Sequence, residues 1–79
     1  MEKRIGTITL LITDRSKAEV INSILSEYAD IVLCRQGLPF RDRPVAVISL
    51  IVEGEVDRIN SICGKLGRIE GVKAKTVVT

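Results

Sequence analysis

From Ile5 to Thr13 the chain reads IGTITLLIT, with Ile8, Leu10 and Ile12 on one side of an alternation and Thr7, Thr9 and Leu11 on the other. A period of two in a run rich in β-branched residues predicts a strand. The period then changes. Ala18, Ile21, Leu25 and Tyr28 recur at spacings of three and four, flanked by Val20 and Ile24, which predicts an amphipathic helix over about 15–28. Ser16-Lys17-Ala18-Glu19 has the spacing of a capping box, and Asp14 is an alternative cap. Asp30 to Gln36 predicts a second strand. Gly37 to Pro44 holds both prolines and predicts a loop. Val45 to Val52 predicts a third strand, with Ala46, Ile48, Leu50 and Val52 on one face and Val45, Val47 and Ile51 on the other. Val56, Ile59, Ile62, Cys63 and Leu66 form the apolar stripe of a second helix. Its start carries Glu53, Glu55 and Asp57, its end Lys65 and Arg68, with Gly67 as the expected C-cap and Gly64 placed for close packing on the sheet. Val72 to Thr79 predicts the last strand, after a turn at Gly71.

Strand, helix, strand, strand, helix, strand, with right-handed crossovers, leaves few topologies. The expected fold class is α+β, a ferredoxin-like βαββαβ sandwich of ACT-like type over residues 1–79 as a single domain. Its four-stranded antiparallel sheet has the order 4-1-3-2, with two helices on one face. Two helices cover one face only, and an antiparallel sheet with a wet face should alternate cleanly between apolar and polar. Leu11, Val45, Val47 and Ile51 break that alternation on the side the helices leave bare. They predict an oligomer face, and so a homo-oligomer, a dimer or tetramer.

Composition bounds the function. The 79 residues suit one small domain whose own core is marginal, another reason to expect a partner copy. A net charge of +2 and two aromatic residues, Tyr28 and Phe40, do not favour nucleic acid. Met1 to Arg4 leads straight into a strand-like run, and no apolar run reaches the ~18 residues of a membrane span. These features predict a cytoplasmic protein without leader or membrane partner.

No catalytic set emerges: there is no histidine, no nucleophile elbow, no phosphate loop and no metal-ligand spacing, so no enzyme activity, metal or cofactor is expected. Cys63 falls on an apolar stripe. Cys34 lies on an expected edge strand, where a two-fold would bring it to its copy. Gly64-Lys65-Leu66-Gly67 mimics the backbone-clamping loop of KH domains, but no room follows it for the second helix that loop requires. Two sites remain. Asp14, Arg15, Ser16 and Lys17 surround the start of the first helix, where cations have the wrong sign for the helix dipole; they are the expected site for a small anionic ligand. Arg35, Phe40, Arg41 and Arg43 are the expected partner- or anion-binding loop. Glu27 and Asp30 likewise have the wrong sign for the end of that helix.

The segments MEKRIGTITLLITDRSKA, LCRQGLPFRDRPVAVISL and INSICGKLGRIEGVKAKTV resemble the short ACT-like proteins described as regulators of iron-only hydrogenase systems, and the resemblance runs over essentially the whole chain. The ending GKLGRIEGVKAKTV also resembles ACT domains and the C-terminal domain of the nickel-responsive repressor. The resemblance implies an oligomeric module that senses a small ligand or a metal, and a role in transcriptional regulation. The nickel repressor's site depends on histidines, which this chain lacks. Thr13-Asp14-Arg15-Ser16 stands where many amino-acid-binding ACT domains carry Pro-Gly. The expected function is a non-enzymatic regulatory module. The alternatives are a nucleic-acid-binding regulator using Arg35, Arg41, Arg43, Lys73 and Lys75, and a purely structural assembly module. The fold leaves no residues of this sequence for a separate DNA-reading domain.

Overall fold

The computed structural model describes residues 2–79; Met1, the head of the expected domain, lies outside the described residues. The strands are β1 (Arg4–Ile12), β2 (Val32–Pro39), β3 (Ala46–Gly54) and β4 (Val72–Val78), and the helices are α1 (Ala18–Glu27) and α2 (Val56–Gly67). All pairings are antiparallel and the sheet order is β2-β3-β1-β4, as the βαββαβ reading requires.

The core is the alternation made solid. Ile8, Leu10 and Ile12 of β1 and Ile48, Leu50 and Val52 of β3 are buried beneath Ile21 and Leu25 of α1 and Ile59, Ile62 and Leu66 of α2. Burying one such side chain is worth about 1.5–3 kcal/mol, so these side chains dominate stability. The two helices share this work unequally. α2 packs closely on β4 and more lightly on β1 and β3, whereas α1 leans on α2. The β2 side of the sheet is therefore thinly covered.

Several local expectations are corrected. The first helical turn is a short 3-10 segment, Arg15–Lys17, and its cap is Asp14, whose carboxylate accepts from the Ser16 amide. The Ser16 box does not form, and Lys17 caps α1 with no side-chain bond. Ala18, expected on the buried stripe, is exposed. β2 runs on to Pro39, three residues into the expected loop; an edge strand tolerates a proline because one side of it needs no donor. α2 runs through Gly67 to a right-handed cap at Arg68. The left-handed residue is Gly71, at φ 84°, where a Cβ would come within 2.9 Å of the Asp14 Cβ. Gly71 O accepts from Thr13 N at 2.8 Å, so this turn ties the end of β1 to the start of β4. Gly64 does not serve close packing, since a Cβ there would meet nothing within 4 Å.

Chemical denaturation should separate these two glycines. Gly64→Ala should stabilise the fold by about 1 kcal/mol, the helix-propensity difference in open space. Gly71→Ala should destabilise it by about 1–3 kcal/mol through backbone strain alone.

Candidate functional site

A bulge decides where Arg35 points. The β2–β3 register slips between Val32 and Cys34. Val32 pairs with buried Val52, Cys34 with Ile51, and Arg35 with buried Leu50. Side chains paired across a ladder share a face, so the bulge turns Arg35 to the helix side and Cys34 to the bare side. Arg35 is thus a strand residue, separated from the loop that carries Arg41 and Arg43.

On the helix side α1 stands off from β2 and leaves a cleft with a cavity volume of about 200 Å³. Its floor and walls are Ile12, Ile21, Ala46, Ile48 and Pro39, with Ala18 at its mouth; its polar lining is Asn22, Arg15 and Arg35. A shallower groove continues from Asn22 and Arg35 along Leu25, Ser26, Ala29 and Val32. Among the described residues Arg35 has no ion pair. An unpaired guanidinium beside an apolar cleft offers the chemistry to take an anionic group with an apolar body.

Arg15, expected to hold a ligand, is engaged elsewhere. Its Nη2 donates to the carbonyl oxygens of Phe40, of Arg43 at 3.2 Å and of Val45 at 3.2 Å. It thereby ties the start of α1 to the β2–β3 connection while lining the cleft. This also explains a cation at a helix N-terminus: its charge faces carbonyl dipoles of a neighbouring loop. Asp14 accepts from the Ser16 amide and, at 2.6 Å, from the Ser16 hydroxyl. These bonds, Ser16's side chain first, hold the Asp14 carboxyl below the usual carboxylate range, with Lys17 adding to the effect. Asp14 and Ser16 are therefore occupied by each other. Phe40 closes the end of β2 by donating its N–H to Val45 O at 3.0 Å, and Arg41 and Arg43 are exposed in the turn.

The wrong-signed residues at the other end of α1 have partners that the one-dimensional pattern did not reveal. Arg58 of α2 grips Asp30 with both terminal nitrogens, and Lys65 bonds Glu27 at 3.2 Å. Both cations lie 5.3 Å from the Tyr28 ring centre, one on each contact, and the Tyr28 hydroxyl shares a 2.9 Å hydrogen bond with Ser61. The Arg58 bond holds the Asp30 carboxyl below its ordinary value, and Asp30 in turn raises Arg58. The cluster locks α1 to α2. Cys63 packs against the core, and burial pushes its thiol up, away from reactivity.

On the bare face the ladders align rows across the sheet. One row is Leu38, Val47, Leu11 and Lys73; another is Cys34, Ile51, Thr7 and Val77. Between them lies a polar row of Gln36, Ser49, Thr9 and Lys75. Leu38, Leu11, Ile51 and Val77 are exposed, the last by 72%, and Ile5 beyond them by 51%. Val47 is half-buried, and so is Val45 just before β3. The face is apolar in two bands. Among the described residues no group of three or more His, Cys, Asp or Glu side chains is gathered for a metal ion, and no helix is long and apolar enough to cross a membrane.

The sequence model of the TM1266-like family, described as "Iron-only hydrogenase system regulator, putative", matches residues 4–76. The chain belongs to the TM1266-like family. The solved structure of the uncharacterized protein TM1266 from Thermotoga maritima is 38% identical to it, with a TM-score of 0.91 and 98% of each chain covered. The "Uncharacterized transcriptional regulator MJ0080" of Methanocaldococcus jannaschii is 28% identical over all 79 residues. The chain spans 60% of that relative's length. The family is thus one of regulators by description, and the ferredoxin-like architecture is shared with TM1266.

The Asp30–Arg58 pair predicts a pH dependence of known sign. Asp30's pKa is lowered by folding, so its contribution is present above the unfolded carboxylate range and is lost as the pH falls through the folded value. Asp30→Asn should lower the melting temperature at neutral pH and shrink the loss of stability on acidification from pH ~5 to ~3. Melts of wild type and variant across that range check it; parallel curves would show the pair to be inert.

Proposed function

We propose that this TM1266-like chain is a non-enzymatic regulatory module of an iron-only hydrogenase system, a cytoplasmic homo-oligomer that takes a small anionic ligand in the cleft between α1 and β2. The observation that carries this reading is the cleft itself: apolar walls, with Arg35 unpaired at the rim. The ionisable groups lining it are Arg15 and Arg35. Arginine keeps its proton throughout the working pH range, so such a cleft attracts charge without moving a proton. That chemistry suits a receptor better than a catalyst.

The two apolar bands of the bare sheet face support assembly with a second copy, because soluble monomers rarely leave large apolar patches in water. The name of the M. jannaschii relative supports an action on transcription. The basic residues do not favour a direct nucleic-acid contact by this chain. Lys73 and Lys75 lie on β4, one edge of the sheet, while Arg35, Arg41 and Arg43 lie on or beside β2, the opposite edge. Phosphate recognition wants such charges in one stripe. An effect on transcription would therefore pass through a partner.

Two measurements test the reading. A series of monoanions from acetate to hexanoate, with inorganic phosphate beside it, should raise the melting temperature of the wild type. Arg35→Ala should weaken the binding about tenfold or more, the worth of one charge-assisted hydrogen bond. No shift with any of these anions rules out the cleft as their receptor. Sedimentation should show an assembly that Leu11→Glu with Ile51→Glu dissociates, and a wild type that stays a lone 8.7 kDa particle would refute the assembly.

A further inference from the structure

We propose that Arg15 is a ligand-operated latch, through which an aliphatic carboxylate in the α1–β2 cleft releases the connection between β2 and β3. The inference rests on reading the cleft as an anion site and adds what occupancy does.

Arg15 lines the cleft and also holds the connection shut. All of its bonds to the connection run through one atom, Nη2, to three carbonyl oxygens. Nη2 carries two protons, so both are committed. A guanidinium has two edges that grip a carboxylate with two parallel bonds, Nη1 with Nη2 and Nε with Nη2. Both edges include Nη2. A carboxylate that enters the cleft and takes Arg15 in the fork geometry must therefore take protons from the loop carbonyls. The exchange trades bonds from one charged nitrogen to neutral carbonyls for a bidentate pair with a carboxylate, the geometry in which a guanidinium binds most strongly.

The charge pattern draws the carboxylate to this point. Arg15 and Arg35 both line the cleft, and the side chains around them are mostly those of Ile12, Ile21, Ile48 and Pro39. The ligand class is a monocarboxylate with a short aliphatic tail: the tail replaces water on the isoleucines, and the head lies between two cations. A dianion such as phosphate brings the charge without the tail.

The consequence falls on residues 40–45. Once Arg15 lets go, the hydrogen bond from Phe40 N to Val45 O closes the turn alone. Arg41 and Arg43, exposed at its tip, then become mobile. Occupancy of a cleft on the helix side is thus converted into a change in a basic, apolar-flanked turn at the end of the sheet.

Limited digestion of the full chain with trypsin tests this, because Arg41 is followed by Asp42 and is cleavable, whereas Arg43 is followed by proline. Pentanoate is the probe and pentylamine its control of opposite charge. In the wild type, saturating pentanoate should speed cleavage after Arg41 severalfold and speed exchange of the Phe40 amide hydrogen, while it raises the melting temperature; pentylamine should do neither. Arg15→Ala should be cleaved at the faster rate without pentanoate and gain nothing from it. Arg15→Lys keeps the charge without the fork and should lose the response to pentanoate while keeping the fold. Pentanoate that raises the melting temperature yet leaves cleavage unchanged or slower overturns the latch and leaves the cleft reading standing. Pentanoate that does not bind overturns both. Cleavage after Arg41 in Arg15→Ala at the wild-type rate overturns the staple from which the latch is built.

Discussion

Two helices can cover only one face of a four-stranded sheet. The helices of this chain lie on one side of the sheet, and α2 takes the better part of it, seated on β4. Both candidate surfaces follow from what is left uncovered. On the helix side the shortfall is the cleft along β2. On the other side it is the sheet face with its two apolar bands. Added elements would bury both, whereas the described residues leave them open.

Charge in this fold has two fates, set by partners rather than by residue type. Arg58 and Lys65 are neutralised by Asp30 and Glu27 and stack on Tyr28, so they act as a clasp between helix ends. Each such exposed pair contributes little alone, but an aromatic ring shared between two cations fixes the relative position of α1 and α2. Among the described residues Arg35 lacks any such partner, and the partners of Arg15 are neutral carbonyls. The unneutralised positive charge of α1's start and of β2 therefore gathers where the cleft opens. The anion affinity proposed for the cleft rests on this pairing pattern.

Much of this was written in the alternation of the chain. The strand order came from the element order and the handedness of crossovers, and the inward residues of β1 and β3 are the ones the period of two selects. The buried positions of α2 matched its stripe, with Val56 more open than the spacing implied. What failed was whatever depends on a one-residue choice. The slip between Val32 and Cys34 leaves no mark in the residue types, yet it decides that Arg35 faces the helices and Cys34 does not. Asp14 and Ser16 both had the chemistry of a cap, and the 3-10 turn chose Asp14. The turn expected at Gly71 is there, but only the path of the chain shows that Gly64, expected to serve packing on the sheet, stands in open space. The partners of Glu27 and Asp30 lie 38 and 28 residues away, beyond any local pattern. The same local rule is violated at both ends of this helix, with acids at its end and bases at its start. At one end it marked a structural clasp, and at the other a staple beside a cleft.

That difference bears on how the two uncovered surfaces are related. β1, β2 and β3 each reach both, and β2 is the edge strand among them. Arg35 looks into the cleft, while Cys34 and Leu38 look out onto the bare face beside Ile51 and Val47. Because successive side chains of a strand point to opposite sides, β2 cannot shift on its ladder without disturbing both. It is also an edge strand, held on one side only, with its distal end pinned by Arg15 through the carbonyls of Phe40, Arg43 and Val45. Ile12, Ala46 and Ile48 bring β1 and β3 to the cleft as well, and Leu11 and Val47 bring them to the outer apolar band, but of the three strands that reach both surfaces β2 alone is an edge. The sheet order puts β2 at the edge, so a movement of this one strand would bear on the cleft and the bare face together.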